Sequence, residues 1–163
     1  VAELVTRAEM EELARAAAEK YLLPPELVCA VIEQESAWRP TATRYEPAFA
    51  ARYGQRYRQM FPECPYLDDA HFYSSLGLMQ VMGAVAWEHQ FRDDPQLMLD
   101  PTVNVEVGCR VLQSKLRACG WTPGNGLGED VVVRGLLRWN GGGRKAYARE
   151  VLARVPKYRK EVQ

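Results

Sequence analysis

The stretch Pro24-Pro25-Glu26-Leu27-Val28-Cys29-Ala30-Val31-Ile32-Glu33-Gln34-Glu35-Ser36 decides how this chain is read. Two prolines suit a helix start, where a missing amide hydrogen costs no bond. The pattern runs out near Trp38-Arg39-Pro40. With a turn of about 100° per residue, Val28, Val31, Ile32 and Glu35 share one quarter of the helix circumference, and Glu33 points roughly the opposite way. A carboxyl group on an apolar stripe is disfavoured in its charged form, so it holds its proton towards neutral pH, as a general acid must. Glu35 is therefore a catalytic candidate. Its place in the last turn leaves the ordinary reading open, that of a polar residue where a stripe meets water.

Outward from this helix the chain keeps helical periodicity. Thr6-Arg7-Ala8-Glu9 has the capping-box pattern, and Met10, Leu13, Ala14, Ala17 and Tyr21 follow at helical spacing. Between Pro40 and Ser75 the regularity fades, with Pro47, Gly54, Pro62 and Pro65 punctuating a segment rich in Tyr, Phe and Arg. Short helices are compatible with it. Leu78 to His89 reads as a helix, and Asp100-Pro101 opens a long one to about Cys119. Gly120 to Gly128 is a loop, Glu129 to Trp139 a helix, Gly141-Gly142-Gly143 a break, and Tyr147, Val151 and Leu152 mark a final helix. No segment alternates at period two and no repeat is present. The expected fold is all-α, one domain over 1–163 with an irregular insertion at about 39–76.

Composition bounds the function. At 163 residues, 47% hydrophobic and 26% charged, the chain suits an ordinary globular core. Its 21 basic and 21 acidic side chains leave no footprint for nucleic acid. No run approaches the ~18 apolar residues of a membrane span. The opening Val-Ala-Glu-Leu lacks a basic-then-apolar signal pattern, which neither shows nor excludes export. Among the four cysteines, Cys109 and Cys119 fall on one helix stripe with Val105, Leu112 and Leu116, about 15 Å apart along the axis, and so read as small core residues that do not bond each other. Cys29 sits on the flank of the Glu35 helix and Cys64 in a loop between Pro62 and Pro65. With no CxxC and only His71 and His89 to add, no metal and no cofactor is expected.

Four pieces in order carry more: Glu35-Ser36, Gly77-Leu78-Met79-Gln80, Asp100-Pro101 with Asn104 and Gly108, and Trp139-Asn140-Gly141-Gly142. Together they resemble the lytic transglycosylase domain of the soluble-lytic-transglycosylase and goose-type-lysozyme superfamily, over about Pro24 to Leu152. Tyr147 to Leu152 resembles that family's closing Tyr-to-Val-Leu segment. The resemblance implies a lysozyme-like helical fold, Glu35 as acid/base, and substrate contacts from Ser36, Gly77, Leu78, Met79, Gln80, Trp139, Asn140 and Tyr147. The residue types fit such roles: Gly77 admits a close approach, Met79 offers a pliable apolar surface, and Gln80 presents a donor and an acceptor. Asn140 is equally suited to a helix cap. Asp100, Asn104 and Gly108 read as structural: a helix start, a polar bond to a loop, and a close helix crossing.

The departures are specific. Family members usually carry Ala-Tyr-Asn where this chain has Arg138-Trp139-Asn140, so the phenolic hydroxyl is missing there and Tyr147 is the candidate to supply one. Trp38, Trp87 and Trp121 read as core more readily than as sugar platforms. The insertion is longer than the family's usual connector, and its aromatic residues fit either a glycan-binding wall or a satellite core. Its Arg44-Tyr45-Glu46-Pro47 resembles a motif of phage and prophage transglycosylase-like proteins. Glu46 is a possible second carboxylate, with an ion pair to a residue such as Arg44 as its commoner fate.

The leading expectation is a peptidoglycan lytic transglycosylase, cutting between N-acetylmuramic acid and N-acetylglucosamine and leaving 1,6-anhydro ends. The alternatives are a hydrolytic muramidase of similar fold, which needs an acid such as Glu46, Asp68 or Asp69 to hold water, and a non-catalytic wall-binding or virion module. The expected partner is the glycan strand, the expected state a monomer, and the expected location the cell envelope, periplasm or a phage virion.

Overall fold

The structure is a computed structural model that describes residues 4–160. Helix α1 (Arg7–Lys20) begins at the expected capping box, in which the Thr6 hydroxyl accepts from the Glu9 amide at 3.2 Å and the Glu9 carboxylate accepts from the Thr6 amide at 2.7 Å. Helix α2 (Pro25–Ser36) then passes through the middle of the core. Leu27, Val28, Cys29, Ala30, Val31 and Ile32 are all fully buried, so the apolar surface extends well beyond the stripe that periodicity marks out. Polar surface begins only at Glu33. The helix ends in two successive left-handed residues, Ala37 (φ 49°) and Trp38 (φ 63°). For a bulky residue that conformation is costly, and Trp38 is held in it by contacts on two sides. Its indole N–H donates to the Tyr158 hydroxyl at 3.0 Å, and the Arg7 guanidinium lies 3.6 Å over its ring.

The rest of the core is built around α5 (Pro101–Ala118), which packs on α1 and on α6 (Asp130–Trp139), while α7 (Tyr147–Tyr158) lies along α2 and α6. Asp100 caps α5 as its position suggests, accepting from the Val103 amide. At the α5–α6 crossing Gly135 is required, since a Cβ there would sit 2.4 Å from a methyl of Leu116. No helix of the described residues is long and apolar enough to cross a membrane.

The structure is predominantly helical, as expected of an all-α lysozyme-like fold with an irregular insertion, and three local readings are corrected within it. A small antiparallel sheet is present, in the order β1 (Thr43–Tyr45), β2 (Ser74–Leu76), β3 (Val81–Met82), with Arg44 opposite Ser75 and Ser75 opposite Met82. Strands of two or three residues are too short to show alternation. The expected helix from Leu78 starts only at Gly83, as α4 (Gly83–Glu88), because Gly77 to Gln80 is a tight turn between β2 and β3. The insertion contains a full 14-residue helix, α3 (Pro47–Met60), concealed from the pattern because only Tyr57 is buried along it.

The insertion's aromatic residues resolve in favour of a satellite core. Tyr57, Phe72, Tyr73 and Trp87, with Leu67 and Cys64, form a separate buried cluster against which Phe49, Tyr53, Phe61 and Tyr66 pack. Trp38 and Trp121 are buried in the main core. Cys29, Cys64 and Cys109 are buried and free; burial pushes the Cys29 thiol up to about 12. Cys29 is thus interior rather than on a flank, and Cys119 is only half-buried, because it caps α5 where the helix leaves the core.

Candidate active site

Glu35 reaches the surface in the last turn of α2, and two other elements close on it. The C-terminal residue of α6, Trp139, donates its indole N–H to Glu35 Oε1 at 3.1 Å, and the first residue of α7, Tyr147, donates its hydroxyl to the same oxygen at 2.5 Å. Tyr147 is buried and Trp139 half-buried. Burial raises the Glu35 carboxyl above the usual glutamate range; the Tyr147 and Trp139 hydrogen bonds and the charge of Arg44 pull it back without cancelling the rise. The neighbouring carboxylate also pushes Tyr147 further up, after burial itself, so the phenol keeps its proton and remains a donor.

The turn Gly77–Gln80 is tied to the end of α2 on one side and to α5 on the other. Ser36 is buried, and its hydroxyl donates to the Leu78 carbonyl at 2.8 Å, which ties the end of α2 to the turn. Asn104, fully buried on α5, accepts from the Met79 amide and donates to the carbonyls of Leu76 and Met98, each at 2.8 Å. A buried amide with three of its bonds met fixes the turn's position. Gly77 has φ +73°, and a Cβ there would fall 2.3 Å from the Asn104 amide nitrogen, so no other residue fits. Gly108 is close-packed too, but against the Met79 sulfur at 2.3 Å from an added Cβ; the approach is by the turn and not by the helix crossing its position suggests.

This arrangement corrects part of the expected contact set. Leu78 and Met79 are fully buried, turned into the core by the left-handed Gly77 and Gln80 (φ 51°) that flank them, and neither offers a side chain to a ligand. Ser36 likewise spends its hydroxyl internally, and Gly77 is enclosed. Gln80 is half-buried, with its amide nitrogen donating to the carbonyls of Ala42 and Gly77, each at 3.0 Å, which leaves its carbonyl oxygen free to accept. Asn140 caps α6 through its backbone beside Trp139 and is half-exposed. Glu35, Trp139 and Tyr147 are brought together.

Glu46 stands in the ion pair expected of it. Its Oε1 accepts from Arg44 Nε at 2.7 Å and from the Ser75 hydroxyl at 3.1 Å. Sequence reasoning did not connect Arg44 with Glu35: its charge favours the carboxylate form there, after the Tyr147 and Trp139 hydrogen bonds. The Arg44-Tyr45-Glu46-Pro47 motif was the only signal for it. The donor role of Trp139 was also missed, although the indole N–H was there to be counted. Among the described residues no three His, Cys, Asp or Glu side chains stand together as a metal ion requires.

Residues 12–126 match the model of the transglycosylase SLT domain, well over half of the chain. The chain belongs to this family. It is a lytic transglycosylase acting on peptidoglycan. No curated protein and no solved structure matches it. The matched segment includes Glu35, the Gly77–Gln80 turn and Asn104 but stops before α6, so Trp139 and Tyr147 are tied to the site by geometry alone.

Proposed function

We propose that Glu35 is the single acid/base of this transglycosylase, and that residues 1–163 act as one catalytic domain, a monomer. It cleaves the β-1,4 bond between N-acetylmuramic acid and N-acetylglucosamine in glycan strands. The observation that carries the assignment is the pair of donors on one oxygen of a desolvated carboxyl. With Oε1 accepting from both Trp139 and Tyr147, the neutral acid keeps its proton on Oε2. That proton passes to the glycosidic oxygen as the bond to the anomeric carbon breaks and the sugar gains oxocarbenium character.

The same two donors then stabilise the carboxylate left behind. As base, Glu35 takes the proton of the 6-hydroxyl of the same muramic acid while that oxygen attacks the anomeric carbon. The product is a 1,6-anhydro ring and no water is consumed. Gln80, Asn140 and Trp139 are the groups we assign to substrate contact.

Hydrolysis by a second carboxylate has less support, since Glu46 is already engaged by Arg44 and Ser75. The non-catalytic reading drew on the loss of the family's usual tyrosine, and the Trp139 N–H supplies a donor in that place. The site of action that fits a peptidoglycan substrate is the cell envelope, the periplasm or a phage virion. Digestion of purified sacculi in heavy-oxygen water tests the chemistry. Anhydro ends without label are expected, and predominantly labelled reducing ends would overturn it.

A further inference from the structure

Arg44 is an unfavourable choice for the place it holds. Among the groups that shift the Glu35 carboxyl it is the one cation, and its charge favours the carboxylate, the form that cannot act as an acid. Its pairing with Glu46 gives little in exchange, because the Arg44 side chain is 75% exposed and an exposed ion pair adds little stability. A neutral side chain at position 44 would leave the acid better protonated and the fold about as stable.

The guanidinium is nevertheless anchored. Arg44 lies opposite Ser75 in the β1–β2 pair, and cross-strand neighbours share a face of the sheet. There Glu46 Oε1 accepts from Arg44 Nε at 2.7 Å and from the Ser75 hydroxyl at 3.1 Å. The root of β1 is fixed as well: the Ala42 carbonyl accepts from the Gly77 amide at 2.8 Å and from the Gln80 side-chain amide at 3.0 Å. Arg44 therefore stands on the same framework as Gln80, and that framework is bonded to the end of α2 through Ser36 and Leu78. Glu46 engages Nε alone, and the two terminal amino groups of Arg44 make no hydrogen bond among the described residues. Cations nearby are placed differently: Arg39 donates its Nε to the Ser36 carbonyl, Arg144 pairs with Glu150, and Arg154 and Lys157 hold Glu33. Arg44 presents a fork held at its inner end and open at its outer edge, the form in which arginine reads a carboxylate.

We propose that Arg44 is a substrate-recognition residue whose outer edge binds a carboxylate on the lactyl arm of a muramic acid in the strand that Glu35 cuts. The ligand class rests on the peptidoglycan reading. Such a strand is neutral along its sugars and anionic at that arm, which ends in its own carboxylate when bare and in those of a stem peptide when one is attached. Glu46 and Ser75 aim the fork. A bound carboxylate also offsets the Arg44 charge, so the influence that works against protonation of Glu35 is weakened when a strand is in place.

Steady-state kinetics of the parent, Arg44→Gln and Arg44→Lys test this on three kinds of soluble strand: with stem peptides, with the stem carboxylates amidated, and amidase-treated to leave bare lactyl carboxylates. In Arg44→Gln a KM about ten-fold higher is expected on strands whose carboxylate is read, with the change in KM exceeding that in kcat. Arg44→Lys should recover part of it, since the charge is kept and the fork is not. The parent should show a similar rise in KM when the stem carboxylates are amidated, and Arg44→Gln no further rise. A loss confined to the amidase-treated strands would instead make the bare lactyl carboxylate the ligand. A KM that changes equally on all three strands, or on none, would overturn the proposal and leave Arg44 as an influence on Glu35 alone. The parent's response to amidation needs no variant, so indifference to it, together with indifference of the amidase-treated strands to Arg44→Gln, would overturn it even if a variant failed to fold. Strand binding that weakens in Arg44→Gln, in a protein whose parent cuts none of the strands, would sink the catalytic reading and leave this one standing.

Discussion

Glu33 and Glu35 are two residues apart on one helix, and their surroundings drive them in opposite directions. Partial burial pushes Glu33 up, but hydrogen bonds from Lys157, Tyr158 and Arg154 outweigh it and bring the carboxyl down to about 2. Burial dominates at Glu35, where both partners are neutral donors and the one cation, Arg44, is already paired with Glu46. A full positive charge beside a carboxylate does what two neutral hydrogen bonds cannot. The Glu33 side is therefore a clamp, joining α2 to α7 through charge. The Glu35 side is a site whose proton is available for transfer.

The difference has a sign in pH. Glu33 contributes stability that is present above the unfolded glutamate value of 4.5 and is lost as pH falls towards about 2. Glu35, with its folded value raised, contributes stability present below 4.5 and lost as pH rises through that raised value. Activity that needs the protonated acid falls over the same upper range.

The largest effect should come from removing the proton donor. Glu35→Gln keeps the shape and both hydrogen bonds but cannot cycle a proton, and a loss of 10²-fold or more in sacculus digestion is expected, by the usual magnitude of general acid catalysis, about 10²–10⁴. Unfolding should show no loss of stability above neutral pH, because no buried charge remains to be formed. Digestion within a few-fold of the parent, by a variant folded by circular dichroism, would break the comparison at its catalytic end.

Glu33→Gln should do the converse. Roughly 1–3 kcal/mol of stability is expected to go, the upper figure following from the downward shift and the lower from solvent screening at Lys157 and Arg154. The loss should be visible at pH 7 and vanish near pH 2, while turnover at low temperature stays within a few-fold. A variant as stable as the parent at neutral pH would show that the cluster of Lys157, Arg154 and Tyr158 is not a clamp.

Tyr147→Phe is expected to cost about ten-fold in rate, as loss of one hydrogen bond to a charged group does. Its diagnostic is the pH profile. Without that donor the carboxylate is less stabilised, so the alkaline limb should move to higher pH; a Tyr147 that only packed would leave the limb where it is.

The contrast between the two glutamates was half legible in the sequence. The wheel put them on opposite faces and marked Glu35 as the stranded acid, because Val28, Val31 and Ile32 set the phase of α2, although burial extends all round from Leu27 to Ile32. The partners were not legible. Lys157 and Tyr158 lie more than a hundred residues away, and which donors reach which carboxylate depends on how α7 docks. The main helices were readable for the same reason α2 was, strong periodicity with capping residues at Thr6 and Asp100. The hairpin was not, since strands of two and three residues carry no period. Helix α3 was legible only as room for short helices, because Tyr57 alone is buried along it while Phe49 and Tyr53 are partly buried against the satellite core. Leu78 and Met79 were misplaced because a motif fixes identity but not direction: only the left-handed backbone at Gly77 and Gln80 shows that those side chains turn inward.

The smallest effect should follow Glu46→Gln, and it separates the transglycosylase from a hydrolase. Inverting hydrolysis needs a carboxylate free to polarise a water, about 6.5–9.5 Å from the acid. Glu46 is instead fixed by Arg44 and Ser75, its charge spent on a partner beside it. Its indirect influence runs through Arg44. Once Glu46 is neutral, that guanidinium loses the carboxylate beside it and its charge acts more fully on Glu35, favouring the carboxylate form. The alkaline limb should therefore shift to lower pH, opposite to the shift in Tyr147→Phe, with the rate at its optimum within a few-fold of the parent. Products should remain 1,6-anhydro ends. A loss of activity as large as that of Glu35→Gln, with labelled reducing ends from the parent in heavy-oxygen water, would make Glu46 the water-holding base and the two-carboxylate mechanism the correct one.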